Sequence, residues 1–381
     1  MKNQIKKIIC LLLALALLLG ISACGKKNTD ESPAEEKTES THVVVDHRDI
    51  EVAVPTEVNR IVVCDILPLP SVLTVFFDSA SKIVGMSQPS LTAAQNGLLG
   101  ELYPEILNVQ TGFIDGTNVN VEELMKLEPD VVFYSASSAE LGDKLLNAGF
   151  AAVAVSVNKW DYNCIETLDH WIDLLGEIFP ENDKAERVKQ YSSEALQMVQ
   201  ERTATVPESE RAHAFFLFKY DESTLMTSGG QFFGQWWADA IGAVNVGQEL
   251  QTDNSVTVNM EQVYDWNPNL IFVTNFTTAG PEDLYQNTVG AYDWSPVEAV
   301  QRERVYKMPL GMYRSYTPGV DTPVTLLWMA QTAYPSLFED VDIVSAAKNY
   351  YKDVFGIELT DEQASSIFAP SVDAGAGFAY Q

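Results

Sequence analysis

The sequence has few cysteines, few histidines and few basic residues for its length. Its 381 residues include four cysteines, four histidines and 24 Lys and Arg residues against 53 Asp and Glu residues, for a formal net charge of −29. A surface this acidic repels phosphate groups, which argues against nucleic acid and against an anionic lipid surface as partners. Only Cys64 and Cys164 lie beyond the first 24 residues, and two cysteines do not make a disulfide framework or a zinc site, so we predict no metal site and no cofactor.

The histidines and the remaining side chains also lack the spacing that enzyme chemistry requires. There is no HExxH motif, no histidine pair at helical metal-ligand spacing and no Gly-x-Ser-x-Gly elbow. We therefore predict that the chain is not an enzyme, with an extracellular hydrolase and a surface adhesin as the alternatives. Cys64 ends an apolar run, which predicts a buried thiol; a Cys64–Cys164 disulfide is the alternative, although no spacing supports it.

Long hydrophobic runs are scarce too, with one exception near the start of the chain. The apolar run from Ile8 to Leu19 is shorter than the roughly 20 residues of a membrane-spanning helix, so residues 1–23 read as a signal segment. Small residues precede Cys24, as in the lipobox that bacterial lipoproteins carry, and this resemblance implies lipidation of the Cys24 thiol. Residues 24–41 are then a lipidated cysteine and an acidic, flexible tether. We expect the chain to face the extracytoplasmic side of the cell membrane, held by its lipid.

Beyond the tether, short apolar runs alternate with helical patterns. Such runs occur at 60–64, 82–86, 130–134 and 151–157, separated by helices, and this order predicts parallel sheets and an α/β fold. The pattern is helical from 164 to 203, and strands and helices then resume. A length of about 340 residues is too great for one core and suggests two domains.

The sequence also contains one internal duplication. Residues 119–134, VNVEELMKLEPDVVFY, align without a gap with residues 258–273, VNMEQVYDWNPNLIFV. Each copy reads as a short helix that ends before a proline and is followed by a buried strand. Two copies far apart in the chain predict two similar lobes rather than a repeat array.

The second residue of each copy is an asparagine, and a glutamate follows two residues later. Asn120 and Asn259 are predicted helix N-caps. Glu122 and Glu261 then lie in the first helical turn, where the helix dipole favours a carboxylate. Taken alone, this pattern predicts that the two glutamates stabilise the starts of their helices.

The order and spacing of these features over residues 42–368 resemble the solute-binding proteins of ABC importers for iron–siderophore complexes, haem and cobalamin. This is the helical-backbone class III of the periplasmic binding protein type 2 family. The resemblance implies two similar α/β lobes with mainly parallel sheets, bridged by one long helix, and a ligand between them. The implied parts are an N-terminal lobe (42–178), a connecting helix (179–205), a C-terminal lobe (206–368) and a tail (369–381).

The resemblance also implies a function and partners. The chain would capture an iron complex, a siderophore or haem, and deliver it as a monomer to the permease subunits of an ABC importer with a cytoplasmic ATPase. A corrinoid is the alternative ligand within the class. Glu122 and Glu261 match the positions at which the family docks to permease arginines, so docking joins helix stabilisation as their expected role.

Ligands of open α/β sheets bind where the strands end, and this rule selects the candidate ligand-binding loops. These loops mix aromatic and polar side chains, as sites for large planar ligands require. Arg314 lies between two tyrosines and is predicted to pair with a ligand carboxylate, siderophore or phosphate oxygen, or alternatively to form a salt bridge between the lobes. Core packing is the alternative for Phe113, Trp160 and Tyr220. The candidates are Pro68, Gln88, Phe113, Ser135, Trp160, Tyr220, Gln231, Phe232, Asn275, Tyr313, Arg314 and Tyr316.

Overall fold

The computed structural model of the protein describes residues 40–116, 118–179 and 184–378. The chain from Ser40 onward forms one compact unit. The predicted signal segment, Cys24 and the tether up to residue 39 lie outside the described residues, as do 379–381 of the tail. Within the described residues, no helix combines the length and the apolar character that crossing a bilayer requires.

The first lobe is built from strands and helices in alternation. Its strands are β1 (Thr41–Val45), β2 (Glu51–Pro55), β3 (Ile61–Val63), β4 (Ile83–Gly85), β5 (Ile114–Asp115), β6 (Asn118–Val119), β7 (Val131–Ser135) and β8 (Ala152–Val155). Its helices are α1 (Leu69–Phe77), α2 (Gln88–Asn96), α3 (Leu98–Leu102), α4 (Val121–Met125), α5 (Ala139–Asn147) and α6 (Cys164–Ile178). The strands β4, β3, β7 and β8 form a parallel sheet in that order.

The central strands of this sheet are apolar along their whole length. Every residue of β3, β7 and β8 is buried, as expected for parallel strands covered on both faces. The antiparallel β1–β2 hairpin stands apart from the sheet and is tied to it through its turn. The buried Asp46 carboxylate accepts hydrogen bonds from the backbone N–H groups of Arg48, Ile50 and Ala154, so that the hairpin is fixed beside β8.

The connection between the lobes is helical, as predicted. Helix α6 begins at an N-cap, Asn163, whose side chain accepts hydrogen bonds from two backbone N–H groups of the first turn. The connecting helix α7 spans Lys184–Thr203. It packs against α6 and against a helix of the second lobe, Thr322–Ala333.

The second lobe repeats the alternation with one added hairpin. Its strands are β9 (His213–Tyr220), β10 (Leu225–Ser228), β11 (Val244–Asn245), β12 (Ser255–Thr257), β13 (Leu270–Val273) and β14 (Val305–Lys307). Its helices are α8 (Phe233–Ala240), α9 (Met260–Trp266), α10 (Pro281–Gln286), α11 (Glu298–Gln301), α12 (Thr322–Ala333), α13 (Ile343–Tyr350) and α14 (Asp361–Phe368). The sheet order is β12-β10-β9-β13-β14, with β11 also paired to β9, and β9, β11, β13 and β14 run parallel.

The last helices of the chain pack in the core of the first lobe. Side chains from α13, α14 and the turn between them, such as Tyr350, Phe355 and Ile367, lie in one cluster with β3 and β7 of the first lobe. The sequence predicts that residues 343–368 belong to the C-terminal lobe. In the structure, side chains of these residues pack in the core of the first lobe. The chain therefore crosses between the lobes again after α7.

The duplicated segments have the same local structure in both lobes. The Asn120 side chain accepts hydrogen bonds from the N–H groups of Glu122 and Glu123 at 3.0 and 3.3 Å, and Asn259 accepts one from Gln262 at 2.9 Å. The predicted N-caps are thus confirmed. Glu122 and Glu261 are both exposed in the first turns of α4 and α9, where a partner protein can reach them.

Candidate functional site

A cavity of about 670 Å³ lies between the two lobes. One wall is formed by residues 158–166, which connect β8 to α6, and the other by residues 230–239 around the start of α8. Three of the predicted ligand-binding residues meet there: Trp160, Gln231 and Phe232. The strand-end rule therefore brings residues from both lobes to one cavity.

Tyr162 joins the two walls of this cavity. Its ring makes edge contacts with Phe232 and Phe233 of the second lobe, at centroid distances of 5.0 and 4.9 Å. Asp161 and Tyr162 both adopt the left-handed backbone conformation, with φ of 50° and 56°. Two consecutive non-glycine residues in this region are costly and persist only where surrounding contacts impose them. The turn thus directs the tyrosine ring across the cleft.

Trp160 is held in place by two histidines of the first lobe. Its ring stacks on His170 at 4.1 Å and meets the edge of His47 at 4.9 Å. The Nδ1 atom of His47 accepts a hydrogen bond from the N–H of Ser156 at 3.0 Å. Burial, with help from the nearby Lys159 and His170, lowers the pKa of His47 to about 4. The imidazole is therefore neutral at physiological pH and keeps this acceptor role.

The cavity is aromatic and acidic. Its rings come from Trp160, Tyr162, Phe232 and Trp236, and no Lys or Arg lines it among the described residues. Such a lining favours a neutral or cationic ligand with apolar surface, because aromatic faces and carboxylates both attract positive charge. Its carboxylates are Asp161, Glu166, Asp239 and Asp253.

Several lining residues were not among the sequence candidates. Gln235, Trp236 and Asp239 follow Phe232 at intervals of three, four and seven residues, which places all four on one face of α8. Helical spacing from a single predicted residue could therefore have identified them. Tyr162 had no such signal, because its position depends on the left-handed turn.

The structure buries most of the remaining candidates. Tyr220 lies in the core of the second lobe, where its hydroxyl donates to the Val289 carbonyl and accepts from the Trp294 indole. Phe113 packs in the core of the first lobe, which is the alternative stated for it above. Gln88 is exposed at the start of α2. The buried candidates outside the cavity lining are Pro68, Phe113, Ser135, Tyr220, Asn275, Tyr313, Arg314 and Tyr316.

Arg314 is fully buried and has no carboxylate partner among the described residues. Its Nε and Nη2 atoms donate to the carbonyl of Ala374 at 3.2 and 2.6 Å, and its Nη1 donates to the Tyr313 hydroxyl at 2.8 Å. The guanidinium also lies over the ring of Phe276, at 5.1 Å from its centroid. The alternative of a salt bridge between the lobes is wrong, because neutral oxygens take the place of an acid.

The structure describes two of the cysteines, and both lie in the protein interior. Cys64 and Cys164 are both free thiols and both buried, so the alternative of a disulfide is wrong and the buried thiol is confirmed. Burial raises the pKa of each thiol well above its usual range. Across the part of the chain that the structure describes, no cluster of three or more His, Cys, Asp or Glu side chains could hold a metal ion.

Known proteins with this sequence pattern and this fold bind solutes. The sequence profile of the periplasmic binding protein family matches residues 101–310. The chain belongs to the periplasmic binding protein family. As a member, it is the solute-binding component of an ABC importer and not an enzyme. The predicted family and the bilobed α/β fold are confirmed.

Three relatives illustrate the similarity. A periplasmic solute binding protein from Veillonella parvula superposes with a TM-score of 0.76 at 28% identity, covering 88% of this chain and 98% of that chain. YvrC of Bacillus subtilis, an uncharacterized ABC transporter substrate-binding lipoprotein, is 26% identical over 337 residues, 87% of this chain and 97% of YvrC. The molybdate-binding protein MolA of Haemophilus influenzae is 23% identical over 348 residues, 85% of this chain and 93% of MolA.

The neutral His47 predicts a specific loss of stability in acid. The pKa of His47 is about 4 when folded and 6.5 when exposed, so the unfolded chain binds more protons between these values. Stability therefore falls as the pH drops through this window, by about 2 to 3 kcal/mol from this residue. Urea titrations at about pH 7 and pH 4.5 measure the free energy of unfolding at each pH. We expect the decrease between these two pH values to be smaller in His47→Gln than in the natural protein.

The matched control for this measurement is His213→Gln, which changes an exposed histidine. It should lose as much stability in acid as the natural protein does. Equal losses in all three proteins would contradict the assignment to His47.

Proposed function

We propose that this binding protein captures an iron complex, a siderophore or haem, in the cavity between its lobes and delivers it to an ABC permease. The observation that carries the proposal is the cavity itself, with Trp160 and Tyr162 on one wall and Phe232 and Trp236 on the other. Aromatic faces on two lobes provide the apolar area that a macrocycle or a wrapped chelate presents. The lobes then hold the complex from both sides.

The size and charge of the cavity support this ligand class. Its volume of about 670 Å³ falls within the range of roughly 300–1,000 Å³ for small-molecule sites. Its carboxylates complement a complex that carries net positive charge, such as ferrioxamine B, in which a pendant ammonium group is attached to a neutral ferric trihydroxamate. A small oxyanion would meet like charge there and no basic side chain among the lining residues described.

Molybdate is a second candidate, because the relative MolA is named for it and because two basic side chains are buried in the second lobe. Neither side chain lines the open cavity: Arg314 binds the Ala374 carbonyl, and Lys307 donates to the carbonyls of Thr274, Thr277 and Ala279. An oxyanion in that cavity meets carboxylates and no basic side chain among the described lining residues. The iron complex therefore remains the proposal, and molybdate becomes an outcome of the test.

Binding should depend on the aromatic walls of the cavity. We expect Trp160→Ala and Phe232→Ala each to raise the Kd for haemin or for ferrioxamine B by about five- to thirtyfold, since each removes roughly 1–2 kcal/mol of ring contact. Quenching of tryptophan fluorescence measures the affinity. Tyr264→Ala, which alters an exposed ring of α9, is the control and should bind normally. If the protein binds molybdate but not haemin, ferrioxamine B or cobalamin, the proposed iron complex is wrong and the ligand is the oxyanion.

Delivery to the permease is proposed to use the two exposed glutamates of the duplicated segments. We expect Glu122→Ala combined with Glu261→Ala to abolish uptake of the iron complex while leaving its Kd unchanged, because both carboxylates lie outside the cavity lining. Radioactive iron uptake in cells and affinity in solution are the two measurements. The double variant Glu57→Ala with Glu282→Ala makes the same charge change at other exposed positions and should transport normally. Loss of affinity in the first variant would contradict a docking role.

The membrane anchor is proposed to be Cys24. Lipidation there keeps the binding protein near its permease, and the long acidic tether gives the folded part the reach to dock by a local search. We expect Cys24→Ser to leave ligand affinity unchanged and to move the protein from the membrane fraction to the soluble fraction. Metabolic labelling with a fatty acid gives the second readout, and a labelled Cys24→Ser protein would contradict the assignment.

A further inference from the structure

The C-terminal segment, residues 371–378, lies between the two lobes. Its 3-10 turn, Val372–Gly375, packs on α2 of the first lobe. On the other side it contacts the second lobe at the 274–279 loop that follows β13, and at Arg314. The segment thus touches both lobes, at residues that follow the ends of β4 and β13.

Gly375 gives this segment its close approach to the second lobe. A Cβ atom at residue 375 would lie 2.3 Å from the carbonyl carbon of Thr277 and 2.4 Å from its oxygen. These are backbone atoms of the 274–279 loop, so they cannot move aside as the end of a flexible side chain could. Only glycine permits this contact, and any larger residue must lift the segment from the loop.

The segment also supplies the acceptor for Arg314. The Ala374 carbonyl receives hydrogen bonds from both Nε and Nη2 of the guanidinium. The centroid of the Phe378 ring lies 4.7 Å from that of Phe276 and 5.8 Å from the guanidinium carbon of Arg314. The two rings therefore pack beside the buried guanidinium. The segment therefore gives the buried Arg314 guanidinium a neutral oxygen as its acceptor. A negatively charged oxygen would form a stronger hydrogen bond with this cation.

The segment reaches the aromatic wall of the cavity as well. Phe378 contacts Phe218 at 6.5 Å between ring centroids, and Phe218 contacts Phe232 of the cavity at 6.0 Å. The cavity and the Arg314 surroundings are therefore neighbouring parts of one cleft. The first is open and the second is filled by the chain itself.

We propose that the C-terminal segment is a built-in occupant of the cleft, which a solute must displace in order to place an anionic oxygen on Arg314. The identity of the competing solute rests on the proposed function, whereas the occupancy rests on the contacts described above. The Ala374 carbonyl stands in for a carboxylate or hydroxamate oxygen. Displacement makes the affinity for the solute depend on how firmly the segment is held.

The first test uses the compact unit, residues 40–381, and a fluorescein-labelled peptide of residues 369–381 as the probe. Gly375→Val expels the segment from its own cleft, and the peptide of natural sequence can then bind in its place. We expect this variant to bind the peptide with a Kd at least about tenfold lower than the natural protein, whose attached segment competes at high effective concentration. Fluorescence anisotropy measures the binding.

Ala376→Val is the matched control, because it introduces the same residue type at an exposed position directly after the turn. It should bind the peptide as weakly as the natural protein does. Thermal unfolding of all three proteins verifies that they are folded. Equal peptide affinity in the three proteins, or no binding to folded Gly375→Val, overturns the occupancy.

The second test asks whether a solute displaces the segment in the natural protein. Amide hydrogen exchange of residues 371–378 should accelerate at least about fivefold when the protein is saturated with haemin or ferrioxamine B. Unchanged or slower exchange in the saturated complex overturns displacement. If neither complex binds at all, the proposed ligand class fails, and the peptide measurement still decides whether the segment occupies the cleft.

Discussion

Parallel β-sheets impose one constraint on which the rest of this molecule depends: the carboxyl ends of all their strands lie along one edge. In the first lobe this edge carries the 158–166 connection after β8, and in the second it carries the 274–279 loop after β13. The two edges face each other because α7 joins the lobes and the last helices return to the first core. The cavity, the left-handed turn at Tyr162 and the position of Arg314 all follow from that arrangement.

Charge is unevenly distributed along the cleft, and the distribution explains how its two parts differ. Carboxylates line the open cavity, whereas the two buried cations, Arg314 and Lys307, lie where no described acid pairs with them. A buried cation is costly unless hydrogen-bond acceptors replace its hydration. Backbone carbonyls take that role for both side chains, and one of them belongs to the C-terminal segment. The carboxylates of the open cavity thus attract a positively charged complex. The buried Arg314 needs a hydrogen-bond acceptor whether or not a solute is present.

Much of the fold could be predicted because its signals are local. Fully apolar runs such as β7 and β8 indicate parallel strands, and Asn120 and Asn259 cap their helices through contacts two or three residues away. Trp160 was selected as a candidate because it lies in the loop that follows a predicted strand, and this loop lines the cavity. These inferences need only the chain on either side of the residue concerned.

The remaining features depend on contacts between distant segments. Arg314 was selected for its aromatic neighbours, yet its acceptor is a backbone carbonyl 60 residues later, which any residue type offers and which therefore leaves no sequence signal. The same holds for the helices at 343–368, whose amphipathic pattern indicates burial but not which core receives them. Even Gly375 reads as an ordinary turn residue until the Thr277 backbone is seen beside it.

The repeated crossing between the lobes also restricts how the protein can respond to a solute. Helix α12 contributes Val324 to the first core and Met329 to the second, and it packs along α7. A large rotation of one lobe against the other would separate these side chains and expose apolar surface, which close-packed interiors resist. The C-terminal segment is the part of the cleft that can change without such a cost, because it rests on the surfaces of both lobes instead of forming their cores. Small movements there, and not closure of whole lobes, are the change that binding is expected to use.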